Sequence, residues 1–315
     1  MRLLFIMDPF ETMHPDKDTT YAFMRAAIGA GHEVFHTLVH GLSNEGRTLS
    51  ATTRQLQLVD EAPHVTATAA KDRLVTYFDA VFIRKDPPFD AAYLHLTQQL
   101  ELVRDQTLIL NDPRALRDAN EKLFAFQFAE FMPGTLVSAS TQAHLEFLRK
   151  HGGKGVVKPL DGAGGAGVMG VDAFDRNSRG ITDYVTREGT QLALSQVFQE
   201  AVVEGDKRVL LLDGTLLGAI RRVPQRDDIR ANIHVGGRVE ACDLTEKENE
   251  LVRKVGPALA ESGLFFVGLD LIAERLIEVN VTSPTGIQEL GRLTKTTPEA
   301  TVIQWVEDRV KQAQS

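Results

Sequence analysis

The segment VVKPLDGAGGAGVMGV, residues 156–171, has its glycines concentrated between Gly162 and Gly170. Lys158 stands in front of these glycines. Phosphate-binding loops of the GxxxxGK[ST] type carry their lysine behind the glycines, so this segment does not match them. A glycine-rich loop whose lysine comes first needs another explanation.

The hexapeptide GAGGAG, residues 162–167, has the G-x-G-x-x-G spacing of dinucleotide-binding folds. In those folds a helix follows at once, and its N-terminus meets the pyrophosphate. Here VMGVDAF follows, which contains β-branched residues, is interrupted by glycine and lacks helical spacing. We therefore predict a hairpin in which strand 155–160 turns into strand 168–173.

Such a hairpin is able to fold over a nucleotide. Glycines let backbone N–H groups approach phosphate oxygens without interference from a Cβ atom, and Lys158 on the incoming strand would reach a phosphate as a point charge. A flexible surface hairpin with a solvated lysine would show the same residues. The glycine stretch alone leaves both interpretations open.

The segment VGLDLIAERLIEVNV, residues 267–281, gives a stronger signal. Asp270 sits inside an apolar strand, and Glu278 and Asn280, two residues apart, point to the same face of the next strand. With Glu274 near the centre of the hairpin, Asp270 lies opposite Glu278. Two like charges ~4 Å apart repel by roughly 4 kcal/mol at an effective dielectric near ~20.

A hard cation would remove this conflict. Two carboxylates and an amide oxygen, completed by phosphate oxygens and water, suit Mg²⁺. The alternative is a half-exposed hairpin with an acidic outer face. We favour the metal site, because valine, leucine and isoleucine surround the acidic residues.

Basic residues are spread between the two hairpins, at Arg208, Arg222, Arg230 and Arg238. The segment 224–237 is polar, has no clear period and ends in two glycines. A mobile lid that carries cations to a polyanion would have this composition, and so would a solvated basic loop.

Composition sets the broad class. The chain has 315 residues, 43% apolar and 25% charged, with a net charge of −8 and a single cysteine, Cys242. The charge argues against broad nucleic-acid binding, and no apolar run approaches the roughly 20 residues of a membrane span. One cysteine excludes an internal disulfide, and we expect a cytoplasmic protein.

The first third alternates short apolar runs with helical patterns, which predicts a parallel α/β sheet. The strand candidates are RLLFIMDP, HEVFHTLV, DAVFIRKDPPFD and TLILNDP. Polar residues just past them lie where open α/β sheets bind ligands, namely Asp8, Arg84, Lys85, Asp86 and Asn111. Residues 41–73 are weakly periodic and have no clear assignment.

Three domains are predicted: residues 1–121, an N-terminal α/β substrate domain; 122–202, a central lobe with the glycine hairpin; and 203–315, a lobe with the metal site and the lid. The helix expected from ANEKLFAFQFAEFMP follows the first boundary and places Lys122 in its first turn. We also expect a hairpin around Asp213-Gly214 and an amphipathic helix in TEKENELVRKVGPALAESG.

Together these features resemble the ATP-grasp ligases, and in particular the prokaryotic glutathione synthetases. The resemblance covers nearly the whole chain, through MDP, RKDPPFD, NEKLF, KPLDGAGGAG, EGDKRVLLLDG, RRVPQRDDIRANIHVGG, FVGLDLI and IEVNVTSPTGIQEL. It implies an α/β ATP-grasp fold behind an N-terminal parallel α/β domain.

The family pattern also implies roles for matching residues. The implied ATP contacts are Lys122, Lys158, Gly162, Gly164, Gly165, Gly167, Gln196, Val197, Phe198 and Asp206. The implied ligands of two Mg²⁺ ions, with Mn²⁺ as an alternative ion, are Asp270, Glu278 and Asn280. Catalytic cations would be Arg208, Arg222 and Arg230. Substrate contacts would be Asp86, Asn232, Gly236, Gly237, Thr282, Ser283, Pro284 and Thr285.

The activity implied is ligation of γ-glutamylcysteine with glycine, with ATP converted to ADP and phosphate through an acyl phosphate. The resemblance further implies a homo-oligomer, a dimer or tetramer. One departure from the family pattern is Arg226-Asp227-Asp228, where relatives often have glycines. Two alternatives stay open: an ATP-grasp ligase for another dipeptide or amino acid, and a non-catalytic nucleotide-binding regulator.

Overall fold

The computed structural model describes residues 1–59, 61–225 and 238–314. The described helices are α1 (Thr19–Gly29), α2 (Ala91–Glu101), α3 (Pro113–Asp118), α4 (Thr141–Lys150), α5 (Ser178–Val185), α6 (Glu246–Glu261), α7 (Ile287–Thr294) and α8 (Pro298–Gln314). The described strands form three sheets, each with helices packed against it. No helix in these ranges is long and apolar enough to cross a membrane.

The first sheet confirms the parallel α/β prediction. Its parallel strands run in the order β2-β1-β7-β8, with β1 (Arg2–Met7), β2 (Glu33–Thr37), β7 (Ala80–Arg84) and β8 (Leu108–Leu110). These are the four apolar runs of the sequence. Because all four end at the same edge, the polar residues that follow them are brought together.

Both faces of this sheet are covered. On β1, Leu3 and Phe5 belong to the core cluster formed with α1 and α8, whereas Leu4 and Ile6 belong to the cluster formed with α2. A strand buried on both sides reads as a continuous apolar run, which is why RLLFIM has no polar alternation. The last helix of the chain, α8, packs against α1.

Residues 41–73, unassigned from the sequence, form an antiparallel extension of the first sheet. Its strands are β3 (Leu42–Glu45), β4 (Thr48–Leu58), β5 (Val65–Ala67) and β6 (Lys71–Leu74). The long strand β4 pairs with β2, β3, β5 and β6. Buried positions on β4 include small or polar residues such as Ala51 and Thr53, so apolar alternation is weak in the sequence.

The helix expected around residues 120–133 is wrong in type. The structure has a 3-10 helix, Phe124–Phe131, with a non-helical residue at Phe128. Asn120 still caps a turn, because its Oδ1 accepts hydrogen bonds from the backbone N–H groups of Lys122 at 3.1 Å and Leu123 at 3.0 Å. Aromatic residues have a modest helix propensity, and packing of Phe124 and Phe128 into the core decides the local conformation.

The second sheet contains the glycine hairpin, as predicted. Its order is β11-β10-β12-β9, from β9 (Thr135–Ser138), β10 (Lys154–Pro159), β11 (Met169–Asp172) and β12 (Ala193–Val197). The antiparallel pair of β10 and β11 flanks the glycines. Helices α4 and α5 pack on this sheet around Leu145, Leu148 and Val157.

The third sheet contains the two other predicted hairpins. Its order is β15-β14-β13-β16-β17, from β13 (Asp206–Leu212), β14 (Thr215–Val223), β15 (Arg238–Ala241), β16 (Phe266–Ile272) and β17 (Arg275–Asn280). Asp213 and Gly214 form the turn between β13 and β14, both with positive φ. The amphipathic helix α6 begins at a capping box formed by Thr245 and Glu248.

Asn111 was predicted to lie where the first sheet would bind a ligand, but its side chain makes structural contacts instead. Its carboxamide is buried and joins the first sheet to the third: Oδ1 accepts from the N–H groups of Phe265 and Phe266, both at 2.8 Å. Its Nδ2 donates to the carbonyl oxygens of Phe266 and Val281, both at 2.9 Å. Because both ends of the Asn111 carboxamide are occupied by backbone groups, its role is to hold the first and third sheets together.

Candidate active site between two hairpins

Two adjoining cavities lie between the hairpins. The first, of about 120 Å³, lies between the glycine hairpin and the acidic hairpin β16–β17, and we call it the cleft. The second, of about 480 Å³, lies between the acidic hairpin and the carboxyl edge of the first sheet, and we call it the polar cavity. Ala163, Gly164 and Glu278 line both.

The cleft has apolar walls that suit a flat aromatic ring. The apolar side chains that line it are Val156, Val168, Val197, Phe198, Val202, Ile272 and Ile277. The predicted base-binding residues Gln196, Val197 and Phe198 all lie here. Such a slot with a few polar groups at one end is the usual form of a small-molecule site.

The two lysines predicted to contact phosphates lie in the cleft, and both are buried. Lys122 Nζ lies 2.9 Å from Glu278 Oε1 and donates to the carbonyl oxygens of Leu160 at 3.3 Å and Gly162 at 2.5 Å. This lysine therefore joins the glycine hairpin to the acidic hairpin.

Lys158 is held more loosely. Its Nζ donates to Gln196 Oε1 at 3.4 Å, and no ion pair to it is found among the residues that the structure describes. Burial lowers the pKa of its ammonium group, with Glu278 opposing the shift. A buried cation with a weak partner is suited to bind an anion that enters the cleft.

The glycine loop presents backbone to the cleft. Gly162, Gly164 and Gly165 line it, and Gly164 and Gly165 have positive φ of 61° and 82°. Gly167 does not line the cleft; its φ is 73°, and a Cβ there would lie 2.9 Å from Pro159 Cγ. Gly167 is therefore required by the turn rather than by contact with a ligand.

The register of the acidic hairpin is confirmed. Asp270 pairs directly with Glu278, Gly268 pairs with Asn280, and Glu274 lies in the turn. Asn280 Nδ2 donates to the Gly268 carbonyl oxygen at 3.2 Å, which leaves Oδ1 to accept from another group.

The repulsion expected between Asp270 and Glu278 is offset by arginines. Arg208 donates to both oxygens of Asp270, from Nε at 2.6 Å and Nη2 at 3.0 Å, and Arg222 Nη2 also lies 3.0 Å from Asp270 Oδ2. Lys122 accompanies Glu278. Relief of repulsion is thus no longer an argument for a metal, and the metal site depends on the donor set itself.

These buried charged groups shift one another's pKa values. Burial would raise the pKa of Asp270, but Arg208 and Arg222 overcome it and hold the pKa well below its usual range. For Asp206, burial outweighs the attraction of Arg222, and the pKa is raised. Arg222 donates to Asp206 from Nε at 2.7 Å and Nη2 at 2.6 Å.

The donor set fits Mg²⁺ by its chemistry. Asp270, Glu278 and Asn280 supply oxygen ligands only, which is what this hard cation prefers, and they lie between the cleft and the polar cavity. Across the described ranges, no three His, Cys, Asp or Glu side chains converge on one point. A cation here would therefore need oxygen ligands from the nucleotide as well.

The polar cavity collects the predicted substrate contacts. Asp86 and the run Thr282–Thr285 line it, together with Arg208 and Arg222. The carbonyl oxygen of Thr285 accepts from Arg208 Nη1 at 3.1 Å, and Ser283 Oγ is buried without a hydrogen-bond partner among the described residues. Arg230, Asn232, Gly236, Gly237 and Arg226-Asp227-Asp228 lie outside the described residues.

The sequence prediction missed Glu121. Its Oε1 accepts from the N–H groups of Val281 at 2.8 Å and Thr282 at 3.0 Å, and from Thr282 Oγ1 at 2.9 Å. Burial, and then Glu278, raise its pKa. Its position next to Lys122 was the only available signal.

Three other missed residues lie just before α1 or in its first turn. Thr20, Lys17 and His14 line the polar cavity beside Arg84, which donates to Thr20 Oγ1 at 3.0 Å and to the Pro284 carbonyl oxygen at 3.0 Å. Burial lowers the pKa of Arg84 to about 10. Arg84 was predicted at this edge because it ends a parallel strand, and no such signal marked the other three residues.

Two family models match successive parts of the chain. Residues 1–117 match the N-terminal domain of prokaryotic glutathione synthetase, and residues 121–295 match its ATP-grasp domain. The chain belongs to the prokaryotic glutathione synthetase family.

Relatives in this family cover nearly the whole chain. Glutathione synthetase of Thermosynechococcus vestitus is 41% identical over 97% of this chain and 99% of its own length. That of Gloeobacter violaceus is 40% identical over 99% of this chain and 98% of its own length. That of Bradyrhizobium diazoefficiens is 41% identical over 91% of both chains.

Solved structures of the same fold are more distant in sequence. D-cycloserine synthetase DcsG superposes with a TM-score of 0.66 at 16% identity, over 98% of this chain and 100% of its own. The ATP-grasp ligase PsnB, solved with a minimal precursor, Mg and ADP, gives 0.63 at 16% identity, over 98% and 97%. The ATP-grasp ligase fold predicted for this glutathione synthetase family member is thereby confirmed.

Proposed function

We propose that this protein is an ADP-forming ligase that joins γ-L-glutamyl-L-cysteine to glycine and forms glutathione, with ATP converted to ADP and phosphate. One observation carries the proposal. The apolar cleft and the polar cavity meet at Gly164 and Glu278, so a nucleotide and a charged peptide would approach each other there. The full-length glutathione synthetase relatives support the choice of substrates.

We assign roles on this basis. ATP would lie in the cleft, with its base against Gln196, Val197 and Phe198 and its phosphates near Lys122, Lys158 and the glycine loop. Gly162, Gly164, Gly165 and Gly167 form that loop, and Asp206 also lines the cleft. The dipeptide would lie in the polar cavity against Asp86 and Thr282, Ser283, Pro284 and Thr285. Arg230, Asn232, Gly236 and Gly237 are proposed contacts from outside the described residues.

Asp270, Glu278 and Asn280 would hold two Mg²⁺ ions, with Mn²⁺ as an alternative. When bound, these ions neutralise the negative charge of the phosphates and polarise the transferring phosphoryl group. The support is the all-oxygen donor set at the junction of the two cavities.

The reaction would proceed in two displacements. The cysteinyl carboxylate attacks the γ-phosphorus of ATP, which forms an acyl phosphate and releases ADP. The glycine amine then attacks the acyl carbon, and phosphate leaves as the peptide bond forms.

The protein supplies position and charge. Arg208, held by Asp270, and Arg222, held by Asp206, are fixed where negative charge would develop on the transferring group. The site must also exclude water, because hydrolysis of the acyl phosphate would waste ATP. A nucleophilic side chain is not needed.

A coupled assay of ADP release tests the function. Wild-type protein with ATP, Mg²⁺ and γ-glutamylcysteine should turn over and release ADP and phosphate continuously only when glycine is added, and glutathione should accumulate in equal amount. If another acid or amine substrate works far better, the chain is an ATP-grasp ligase of different specificity. If no substrate in a panel gives turnover, the chain is a nucleotide-binding regulator.

Three further features belong to this proposal. We divide the chain into residues 1–121, 122–202 and 203–315, and we propose a homo-oligomer, a dimer or tetramer, that acts in the cytoplasm. The family resemblance supports these assignments, and light scattering of the purified protein measures the oligomeric state.

A further inference from the structure

The partition between the two cavities is built from acid–arginine pairs with a fixed direction. Asp206 and Asp270 line the cleft but not the polar cavity, and Arg208 and Arg222 line the polar cavity but not the cleft. The acids therefore face one ligand site and the arginines face the other. We call these four residues the charged partition.

The charged partition is a continuous chain of contacts. Asp206 accepts two hydrogen bonds from Arg222, at 2.7 and 2.6 Å, Arg222 Nη2 lies 3.0 Å from Asp270 Oδ2, and Asp270 accepts two from Arg208, at 2.6 and 3.0 Å. All four residues are at most 9% exposed. Charges in such surroundings interact strongly, because little water screens them.

The strands fix this arrangement. Asp206 and Arg222 are direct partners in the register of β13 and β14, and Arg208 and Asp270 are direct partners in that of β13 and β16. Among the described residues these side chains pair mainly with one another, so a change of charge at one end is passed to the next pair. A contiguous network of this kind is the physical requirement for coupling between two sites.

We propose that the charged partition couples ligand affinity in the two cavities, so that a cation-bearing nucleotide in the cleft tightens binding of a carboxylate ligand in the polar cavity. Asp206 is the positioning residue that sets the strength of this coupling through Arg222. The identity of the two ligands rests on the proposed function; the direction of coupling rests on the geometry.

The physical reason is competition for the arginines. In the free protein both arginines are largely neutralised by Asp206 and Asp270, which weakens their attraction for an anion in the polar cavity. A cation beside Asp270 draws that carboxylate toward the cleft and leaves the arginines less neutralised. They then bind a carboxylate more tightly, and by linkage the carboxylate tightens the nucleotide by the same factor.

Calorimetric titration without glycine tests the coupling, because no peptide bond forms. The dissociation constant of γ-glutamylcysteine is measured alone, with Mg²⁺ and a non-hydrolysable ATP analogue, and with the analogue plus EDTA. For wild type we expect about a 5-fold or greater tightening with Mg²⁺ and the analogue, which is the lower end of typical coupling. With EDTA the tightening should be lost, since a nucleotide without its cation competes for positive charge.

Asp206→Asn is the decisive variant. It leaves Arg222 less neutralised, so γ-glutamylcysteine should bind the free protein more tightly than it binds wild type. The coupling factor should fall below about 2-fold. A purely structural role for Asp206 would instead weaken binding in every state.

Asp213→Asn is the matched control. Asp213 is also held by an arginine, Arg309 at 2.7 Å, and lines neither cavity, so its coupling factor should equal that of wild type. If Asp206→Asn does not fold, Arg222→Lys takes its place in the experiment. Lysine keeps the positive charge but loses the paired hydrogen bonds to Asp206, so the coupling factor should again fall.

The proposal is overturned if Mg²⁺ and the analogue do not tighten γ-glutamylcysteine binding to wild type. It is also overturned if Asp206→Asn, or Arg222→Lys in its place, keeps the wild-type coupling factor, or if Asp213→Asn lowers that factor equally. Absence of γ-glutamylcysteine binding in every state would instead count against the proposed function and remove the coupling with it. Binding without coupling would refute the coupling alone.

Discussion

The two hairpins that face the cleft hold a ligand by opposite means. The acidic hairpin β16–β17 uses charged side chains, buried and locked into pairs across neighbouring strands, as Asp270 is with Arg208. The glycine hairpin β10–β11 uses backbone in a turn where Gly164 is exposed and a Cβ there would meet nothing within 4 Å. In the acidic hairpin, ligand binding and stability therefore depend on the same side chains. In the glycine hairpin, ligand binding and stability are separable.

The strongest test is Asp270→Asn. Loss of this carboxylate removes a proposed Mg²⁺ ligand and leaves Arg208 and Arg222 buried beside a neutral group. We expect turnover to fall to background and the free energy of unfolding to drop by about 3 kcal/mol, as for one partner of a buried pair. Steady-state kinetics and urea unfolding measure the two effects. Near-normal turnover would contradict the assignment of Asp270 to the metal site.

Glu278→Gln should abolish turnover as Asp270→Asn does but cost less stability, because the Glu278 side chain is the less buried of the two acids. Glu278 is the more exposed acid, at 19% of its side-chain surface, and its partner Lys122 keeps two carbonyl oxygens. We expect turnover at background again, but a loss of only about 1 kcal/mol in unfolding free energy. A stability loss as large as that of Asp270→Asn would show that the two acids do not differ as described.

Gly164→Val tests the glycine hairpin. The residue has a φ of 61°, where a β-branched side chain costs roughly 1–2 kcal/mol locally, although there is space for the atoms. Because the turn is exposed, we expect the melting temperature to change little and the KM for ATP to rise several-fold. Gly164→Asn is the control, since asparagine tolerates this conformation, and it should stay near wild type. An unchanged KM for the valine variant would remove the loop from nucleotide binding.

The smallest expected effect is the pH dependence of the free energy of unfolding that comes from His144 on α4. His144 is buried, accepts a hydrogen bond at Nδ1 from Ser195 Oγ at 2.6 Å and donates from Nε2 to the Ser138 carbonyl oxygen at 2.9 Å. Burial lowers the pKa of this imidazole. Its stabilising effect is thus present above the unfolded pKa of about 6.5 and is lost as pH falls through the folded pKa.

His144→Gln should therefore cost about 1 kcal/mol near pH ~7.5, and the difference from wild type should shrink toward about pH 5. Chemical unfolding at a series of pH values measures it. His95→Gln, at an exposed position on α2, should give a curve parallel to wild type. A constant difference for His144→Gln across this range would refute the role of its protonation.

The comparison also shows where prediction from sequence succeeds. Placing Glu274 near the centre of the hairpin predicted the register of Asp270 against Glu278, and alternation put Glu278 and Asn280 on one face, because side chains on a strand point to opposite faces in turn. The local pattern failed to identify the partners of Asp270, because Arg208 lies 62 residues earlier in the chain. Asn111 was misassigned for the same reason: its partners Phe265 and Val281 are brought to it only by packing of two sheets.

Local patterns in the sequence were enough to predict the parallel strands, the three hairpins, the register of Asp270 against Glu278 and the family. These depend on spacing between neighbouring residues, which the chain carries directly. Only the tertiary structure decided that acids face the cleft and arginines face the polar cavity. That division depends on the pairing of β13 with both β14 and β16, and pairing of distant strands is set by burial of their shared apolar surface.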